Sequence, residues 1–491
     1  MVKKNNIPDH SPRATAGNMA RGTIRMFLAE LLFLPTGLVT AIFLARQLGP
    51  VNYGLFSLLA LLVAWVEGNT NSVFANVSVK LVGEEKDWRS VSTVIVRLYL
   101  VLGLSVSILF YLLAEPLSNI LNEPSLVFYI KLFSVDILLT SLCCANHNIL
   151  VGRGFFRETA WIKTCHLIAR LVLIILFVEL GFSLTGAVIG LIGATVVEIF
   201  ISSYFAKPSL FTKGHISGQR LFDIGTPLFF SQLAMNMIGL HFFMLKFLGA
   251  SAEQLGFFGA AINLAIPPTL FAAALSTTLY STVNRMVSEG EIKKAKRMVF
   301  MSIRSVYFLF PFAFMSAGLS HEIVGIIYGE KFLPAAPVLS FLIFIPVVFL
   351  MINIARTVLI VNEKHSHTMG LALPALIAAI LGHLLFTRTA GGVGAAVVTL
   401  AAGSIGALIA VVMMYKIWQV KIPVKTVFSS IMCSVIAYSA AFFLPVSGLW
   451  VFMKIIVISL IIIVTLYLAG EFKSEEISFF RVLISKDRQK P

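Results

Sequence analysis

The chain is a near-continuous succession of apolar stretches, each about 20 residues long and closed by turn chemistry, a pattern that suits only one solvent. A stretch of that length crosses the ~30 Å hydrocarbon core of a bilayer as a helix, and a helix satisfies its own backbone there. About fourteen such stretches follow one another, at 23–45, 53–79, 90–114, 126–151, 160–180, 184–206, 222–248, 254–283, 298–318, 335–361, 367–386, 392–415, 425–445 and 449–470. Turn residues mark the breaks, as in Gly49-Pro50, Glu115-Pro116, Gly181 and Gly391-Gly392. Of the 491 residues, 58% are apolar and only 12% charged. That is about half the charged share of a soluble domain, which excludes a soluble enzyme.

The formal net charge is +15, from 38 Lys+Arg against 23 Asp+Glu. On a soluble chain such an excess would suggest a nucleic-acid partner. Here the basic residues fall on alternate hairpin tips: Lys80/Lys86/Arg89, Arg153/Arg157, Lys207/Lys213/Arg220, Lys293/Lys294/Lys296/Arg297 and Lys416/Lys421. The intervening tips are poor in them. The positive-inside rule then places these tips and both termini in the cytoplasm, as expected for a multi-pass membrane protein. The excess records topology, and no nucleic-acid partner is expected.

Chemistry in the usual sense has little room. The polar segments are too short for a catalytic domain, and no G-x-x-x-x-G-K-[ST] phosphate loop occurs. The four cysteines, Cys143, Cys144, Cys165 and Cys433, lie in apolar stretches without zinc-site spacing. No enzyme activity, metal or cofactor is expected.

The chain carries an internal repeat. Arg46-Gln-Leu-Gly49 followed by Tyr53-Gly-Leu-Phe56 closes the first hairpin; Lys246-Phe-Leu-Gly249 followed by Leu255-Gly-Phe-Phe258 closes the hairpin of spans 7 and 8. A looser match relates Leu117–Pro124 before span 4 to Ile323–Pro334 before span 10. Duplication of six spans, an even number, gives copies of one orientation, related by a pseudo-two-fold along the membrane normal. The expected plan is an all-α integral membrane protein: an N-terminal segment 1–22, a six-helix lobe 23–206, a linker 207–221, a second lobe 222–415, two further helices 416–470 and a tail 471–491.

At these residues a family resemblance emerges. Arg46-Gln-Leu-Gly-Pro-Val-Asn-Tyr-Gly-Leu-Phe56 resembles the R-x-L-G-P-x-x-Y-G-x-F signature of bacterial polysaccharide flippases, in the superfamily of multidrug (MATE) exporters and peptidoglycan-precursor flippases. Tyr328-Gly-Glu-Lys-Phe332, with Ala335, Ala336 and Leu339, is similar to that family's recurrent element before span 10. The resemblance implies a flippase that moves a polyprenyl-diphosphate-linked oligosaccharide to the outer leaflet by alternating access. Its partners would be the lipid-linked glycan, membrane lipids, H⁺ or Na⁺, and polysaccharide-assembly proteins. The alternative on the same fold is a MATE-like H⁺/Na⁺-coupled drug or organic-cation antiporter. Where many relatives carry an acid in span 7, this chain offers Asn236, His241 and Lys246.

A charge deep in a span costs at least ~2.5–3.5 kcal/mol and needs a partner or a wet cavity. Glu30, Glu67, Asp136, Glu198, Arg97, Arg170, Arg304 and Arg356 qualify by position. The four arginines are the candidate substrate-binding cations, because a guanidinium fork suits a diphosphate. Bland readings stand beside this: Arg170 pairs with Asp136 on the neighbouring span, while Arg97, Arg304 and Arg356 snorkel to the interface. Glu30, Glu67 and Asp136, with Asn69, Asn71, Asn236 and His241, are the candidate ion-coupling or cavity-lining polar groups. In the resembling family, spans 1 and 2 contribute to the central cavity. His147, His166 and His383 read as packed or interfacial.

Overall fold

The computed structural model describes residues 32–207 and 241–471, apart from 73, 86, 363–366, 445, 447 and 449. The described residues are helical, with no strand. The chain divides into two compact units, 1–236 and 237–491. Span 222–248 falls largely outside the described residues, as do Glu30 and Asn236.

The first unit contains α1 (Phe33–Ser72), α2 (Ala75–Glu84), α3 (Trp88–Leu112), α4 (Ala114–Ile120), α5 (Leu126–Gly152), α6 (Phe156–Phe177) and α7 (Ser183–Ala206), with a π-turn at Val178–Phe182 between the last two. The second contains α8 (His241–Phe247), α9 (Ala252–Ala265), α10 (Pro267–Ser288), α11 (Ile292–Gly318), α12 (Ser320–Tyr328), a 3-10 turn at Glu330–Ala335, α13 (Ala336–Leu342), α14 (Ile345–Val361), α15 (His367–Gly382), a π-turn at His383–Thr387, α16 (Arg388–Trp418), α17 (Val424–Phe443) and α18 (Trp450–Leu468).

Among the described residues, nine helical runs are long and apolar enough to cross a membrane. Three of them, of 39, 51 and 46 residues, exceed what one crossing of a ~30 Å core needs. Each breaks at a glycine in a non-helical conformation, Gly49, Gly181 or Gly391. Each of these runs is therefore two helices meeting at a tight turn on that glycine, at the hairpin tips that hydropathy marks. Conversely, the expected span 254–283 breaks at Pro267, and 335–361 breaks between α13 and α14.

The repeat is visible in the backbone of the tips. Gly49 has φ +70 and Gly249 φ +97; Gly181 has φ +90 and Gly391 φ +55, each shortly after or within a π-turn. Before spans 4 and 10 the short helices α4 and α12 end at Asn122 (φ +50) and Gly329 (φ +90). Positive φ is the preserve of glycine and, in the left-handed helical well, asparagine, so the matched tips share a positive-φ residue, while ψ differs between Gly181 (4) and Gly391 (−135). The signature side chains are structural: Tyr53 and Phe56 are buried, and Tyr328 and Phe332 pack ring to ring at 5.5 Å.

Small residues let the helices approach. A Cβ on Gly190 of α7 would fall 2.7 Å from the Ile174 Cα of α6, and one on Gly318 of α11 would fall 2.8 Å from the Ala441 Cβ of α17. This is close backbone packing of the kind that associates helices in lipid. The α17–α18 pair is joined to α11 by Met315, Leu319, Cys433, Ala437, Ala441, Ile458 and Ile462. Two polar contacts reinforce it: Lys454 donates to Glu322 at 3.0 Å and to the Ala441 carbonyl, and Arg304 pairs with Glu471 at 2.6 Å.

Candidate functional site

The first unit gathers its embedded charges on four helices. Glu67 lies near the end of α1, Asp136 and His147 on α5, His166 and Arg170 on α6, and Glu198 on α7. Glu198 receives both imidazoles: Oε1 lies 3.1 Å from His147 Nε2, and Oε2 lies 2.7 Å from His166 Nδ1. Asp136, 6% exposed, sits beside Thr195, and Glu67 beside Thr140. One oxygen of each, Asp136 Oδ1 and Glu67 Oε1, is buried without a hydrogen-bond partner.

Arg170 is half-buried and acts on Asp136 and Glu67 through space. It makes no direct ion pair with either among the described residues, so the helix-to-helix bridge with Asp136 is not formed. With the imidazoles neutral, three ionised carboxylates against one guanidinium leave two negative charges uncompensated. Low-dielectric surroundings penalise that state. The unpartnered oxygens of Asp136 and Glu67 are the carboxylate atoms of this cluster left unsatisfied.

A polar seam extends from it. Asn146 donates to the Ser202 and Ser203 hydroxyls at 3.0 and 3.1 Å, and Asn148 donates to the Tyr99 hydroxyl at 2.9 Å. Tyr99 in turn donates to the Asn71 carbonyl at 3.1 Å, while Asn71 Oδ1 is buried without a partner. Asn69 donates back to the Trp65 carbonyl at 2.7 Å. Arg97 lies on an exposed face of α3.

In the second unit the candidates are not gathered. Arg356 on α14 is half-buried; its one hydrogen bond among the described residues is a long one to Asn353 Oδ1 at 3.5 Å, and its Nε has none. Arg304 on α11 is held by the Glu471 carboxylate and carbonyl, at 2.6 and 2.9 Å. His241 packs its ring against Phe258 at 5.6 Å. An apolar cavity of about 630 Å³ opens among α11, α13, α14, α16 and α17, lined by Phe310, Phe314, Phe344, Val347, Leu408 and Tyr438.

Sequence reasoning placed His147 and His166 in the packing and left Glu198 outside the site. A carboxylate in the apolar span 184–206 was the available signal, since it demands partners. Lys454 was missed altogether, although its charge lies about one turn inside the last span.

Helices in this order, turning at matched tips and carrying buried charge, define a multi-pass, all-helical class of membrane protein. Within it, the chain belongs to the polysaccharide biosynthesis protein family, which it matches over residues 43–337. It is 22% identical over 323 residues to the succinoglycan biosynthesis transport protein ExoT of Rhizobium meliloti (strain 1021). That alignment covers 62% of this chain and 61% of the relative, so the chain spans about three-fifths of that protein's length. Among solved structures, the lipid II flippase MurJ in an inward closed conformation matches with a TM-score of 0.68 at 18% identity, over 95% of this chain and 100% of that one. An inward-facing multidrug resistance MATE family transporter matches with a TM-score of 0.62 at 15% identity, over 81% and 99%. These likenesses concern the fold.

Proposed function

We propose that this protein is a flippase for a polyprenyl-diphosphate-linked oligosaccharide, carried from the inner to the outer leaflet of a bacterial inner membrane by alternating access. The observation that carries the reading is that Arg170 and Arg356 are embedded guanidiniums without a direct carboxylate partner among the described residues, in a chain of the polysaccharide biosynthesis family. A guanidinium in a span needs acceptors, and an oxygen-rich diphosphate offers bidentate hydrogen bonds to it. The polyprenyl tail stays in lipid while the sugars cross in a polar path. With the inside negative, moving an anion outward gains roughly 2.3 kcal/mol per charge per 100 mV. The distribution of Lys and Arg supports cytoplasmic termini, and assembly proteins on either side would supply and consume the linked glycan.

The Glu67–Asp136–Glu198 cluster supports coupling to H⁺ or Na⁺ in the first unit. The same cluster favours a second reading, an H⁺/Na⁺-coupled exporter of organic cations, because three carboxylates there face one arginine. A deletion strain separates the two. Accumulation of lipid-linked oligosaccharide on the cytoplasmic leaflet with loss of surface polysaccharide is expected. Normal surface glycan with altered drug sensitivity would sink the flippase reading in favour of the second.

A further inference from the structure

At the rim where α2 turns into α3, two guanidiniums share one indole. The Arg153 Cζ lies 3.8 Å from the Trp88 ring centroid and 4.5 Å from that of Phe155, while the Arg89 Cζ lies 5.5 Å from Trp88. The backbone builds this arrangement. A Cβ on Gly152 would fall 2.7 Å from Val82 Cβ and 2.9 Å from the Val79 carbonyl oxygen, so the end of α5 lies directly on α2. Gly154, with φ +78, then reverses the chain, and the Phe155 N–H returns to the Leu150 carbonyl at 2.8 Å. That turn sets the Phe155 ring beside the guanidinium.

Neither arginine has an ion pair or side-chain hydrogen bond among the described residues. The neighbouring acid, Asp87, caps α3 by accepting from the Ser90 N–H at 3.4 Å. Burial, and then the like charge of Arg89, push the Arg153 guanidinium down from its ordinary value. Two cations are thus held together on one indole, with no side-chain acceptor on either among the described residues.

Stacking occupies the flat face of a guanidinium and leaves its in-plane N–H fork free, and that fork matches phosphate oxygens. Trp88 and Gly152 are the terminal residues of two membrane-spanning helices, so the pair sits at interface depth, where lipid phosphates lie. We infer that Arg89 and Arg153, braced on Trp88 and Phe155, form a binding site for the phosphate group of an anionic phospholipid. The inference does not depend on what the protein transports.

Native mass spectrometry of the detergent-purified full chain tests it, with phosphatidylglycerol, phosphatidylcholine and inorganic pyrophosphate as probes. Wild type should retain phosphatidylglycerol in preference to phosphatidylcholine. Arg89→Ala/Arg153→Ala should retain it about tenfold less or weaker still, as expected for loss of charge-assisted hydrogen bonds. Arg89→Gln/Arg153→Gln, which keeps much of the volume, gives the same readout if the alanine variant does not fold. Equal retention by the substituted proteins, or equal retention of the two phospholipids, overturns the site. Displacement of phosphatidylglycerol by equimolar pyrophosphate overturns the lipid assignment and marks the pair as a soluble-anion site. A transport defect without any change in lipid retention would count against the site and leave the flippase reading untouched.

Discussion

Glu198 Oε2 lies 2.7 Å from His166 Nδ1, joining α7 to α6 within the span. His147 approaches the other carboxylate oxygen from α5, so one acid ties three helices. Glu198→Gln should keep the fold and cut transport, because the amide preserves shape while removing the negative charge that both imidazoles face. Cell-surface polysaccharide and detergent-solution thermal stability, measured side by side, check this. Full transport by Glu198→Gln would show the triad to be a packing element only.

Arg170→Ala should abolish transport with normal expression, and Arg170→Lys should restore only part of it, since an ammonium lacks the fork that grips a diphosphate. Arg356→Ala should behave likewise. The readout is lipid-linked oligosaccharide retained on the cytoplasmic leaflet. If alanine and lysine at Arg170 are both silent, the cation does not touch substrate.

The spans and tips were legible because hydropathy and turn chemistry are local properties. Which embedded charge meets which was not, because partners such as Glu198 and His147, or Arg304 and Glu471, are 51 and 167 positions apart. Arg304 looked like a snorkelling side chain, and Glu471 like the start of a solvated tail. In the structure they meet, and Glu471 is fully buried. The repeat was readable in two motifs, but its physical content, a positive-φ residue at each matched tip, needed the backbone. Glu30 and Asn236, both read as site candidates, lie outside the described residues.

Gly49 has nothing within 4 Å of where a Cβ would stand, so substitution there tests backbone strain without steric clash. Gly49→Ala and Gly49→Asn should each cost about 1–3 kcal/mol, because φ +70 with ψ 174 is a region essentially confined to glycine and lies outside the left-handed helical well that asparagine tolerates. Asn122→Gly, at a tip where asparagine already sits left-handed, should be near neutral. Thermal unfolding of the three variants orders them; a Gly49→Ala protein as stable as the wild type would contradict the assignment of the cost to the backbone conformation.

The Arg304–Glu471 pair fastens the end of α18 to α11. Glu471 also accepts from Thr426 at 2.8 Å and Ser429 at 3.2 Å. Burial alone would raise its carboxyl, but the hydrogen bonds from Thr426 and Arg304 outweigh it and hold the group below its ordinary 4.5. A depressed carboxylate contributes stability that is complete above the unfolded-state value and is lost as pH falls through the folded-state value. The contribution therefore persists at neutral pH and disappears on the acid side of 4.5. Glu471→Ala should destabilise by about 1–3 kcal/mol, because it removes the charge-assisted hydrogen bond to a largely buried guanidinium. Arg304→Met/Glu471→Met should recover most of that loss, since no charge is left unpaired. Unfolding midpoints of the wild type and these variants at pH 7 and at successively lower pH check both points. The gap between wild type and Glu471→Ala should narrow on the acid side; a gap independent of pH would mean that the carboxylate charge is not what holds the helix pair.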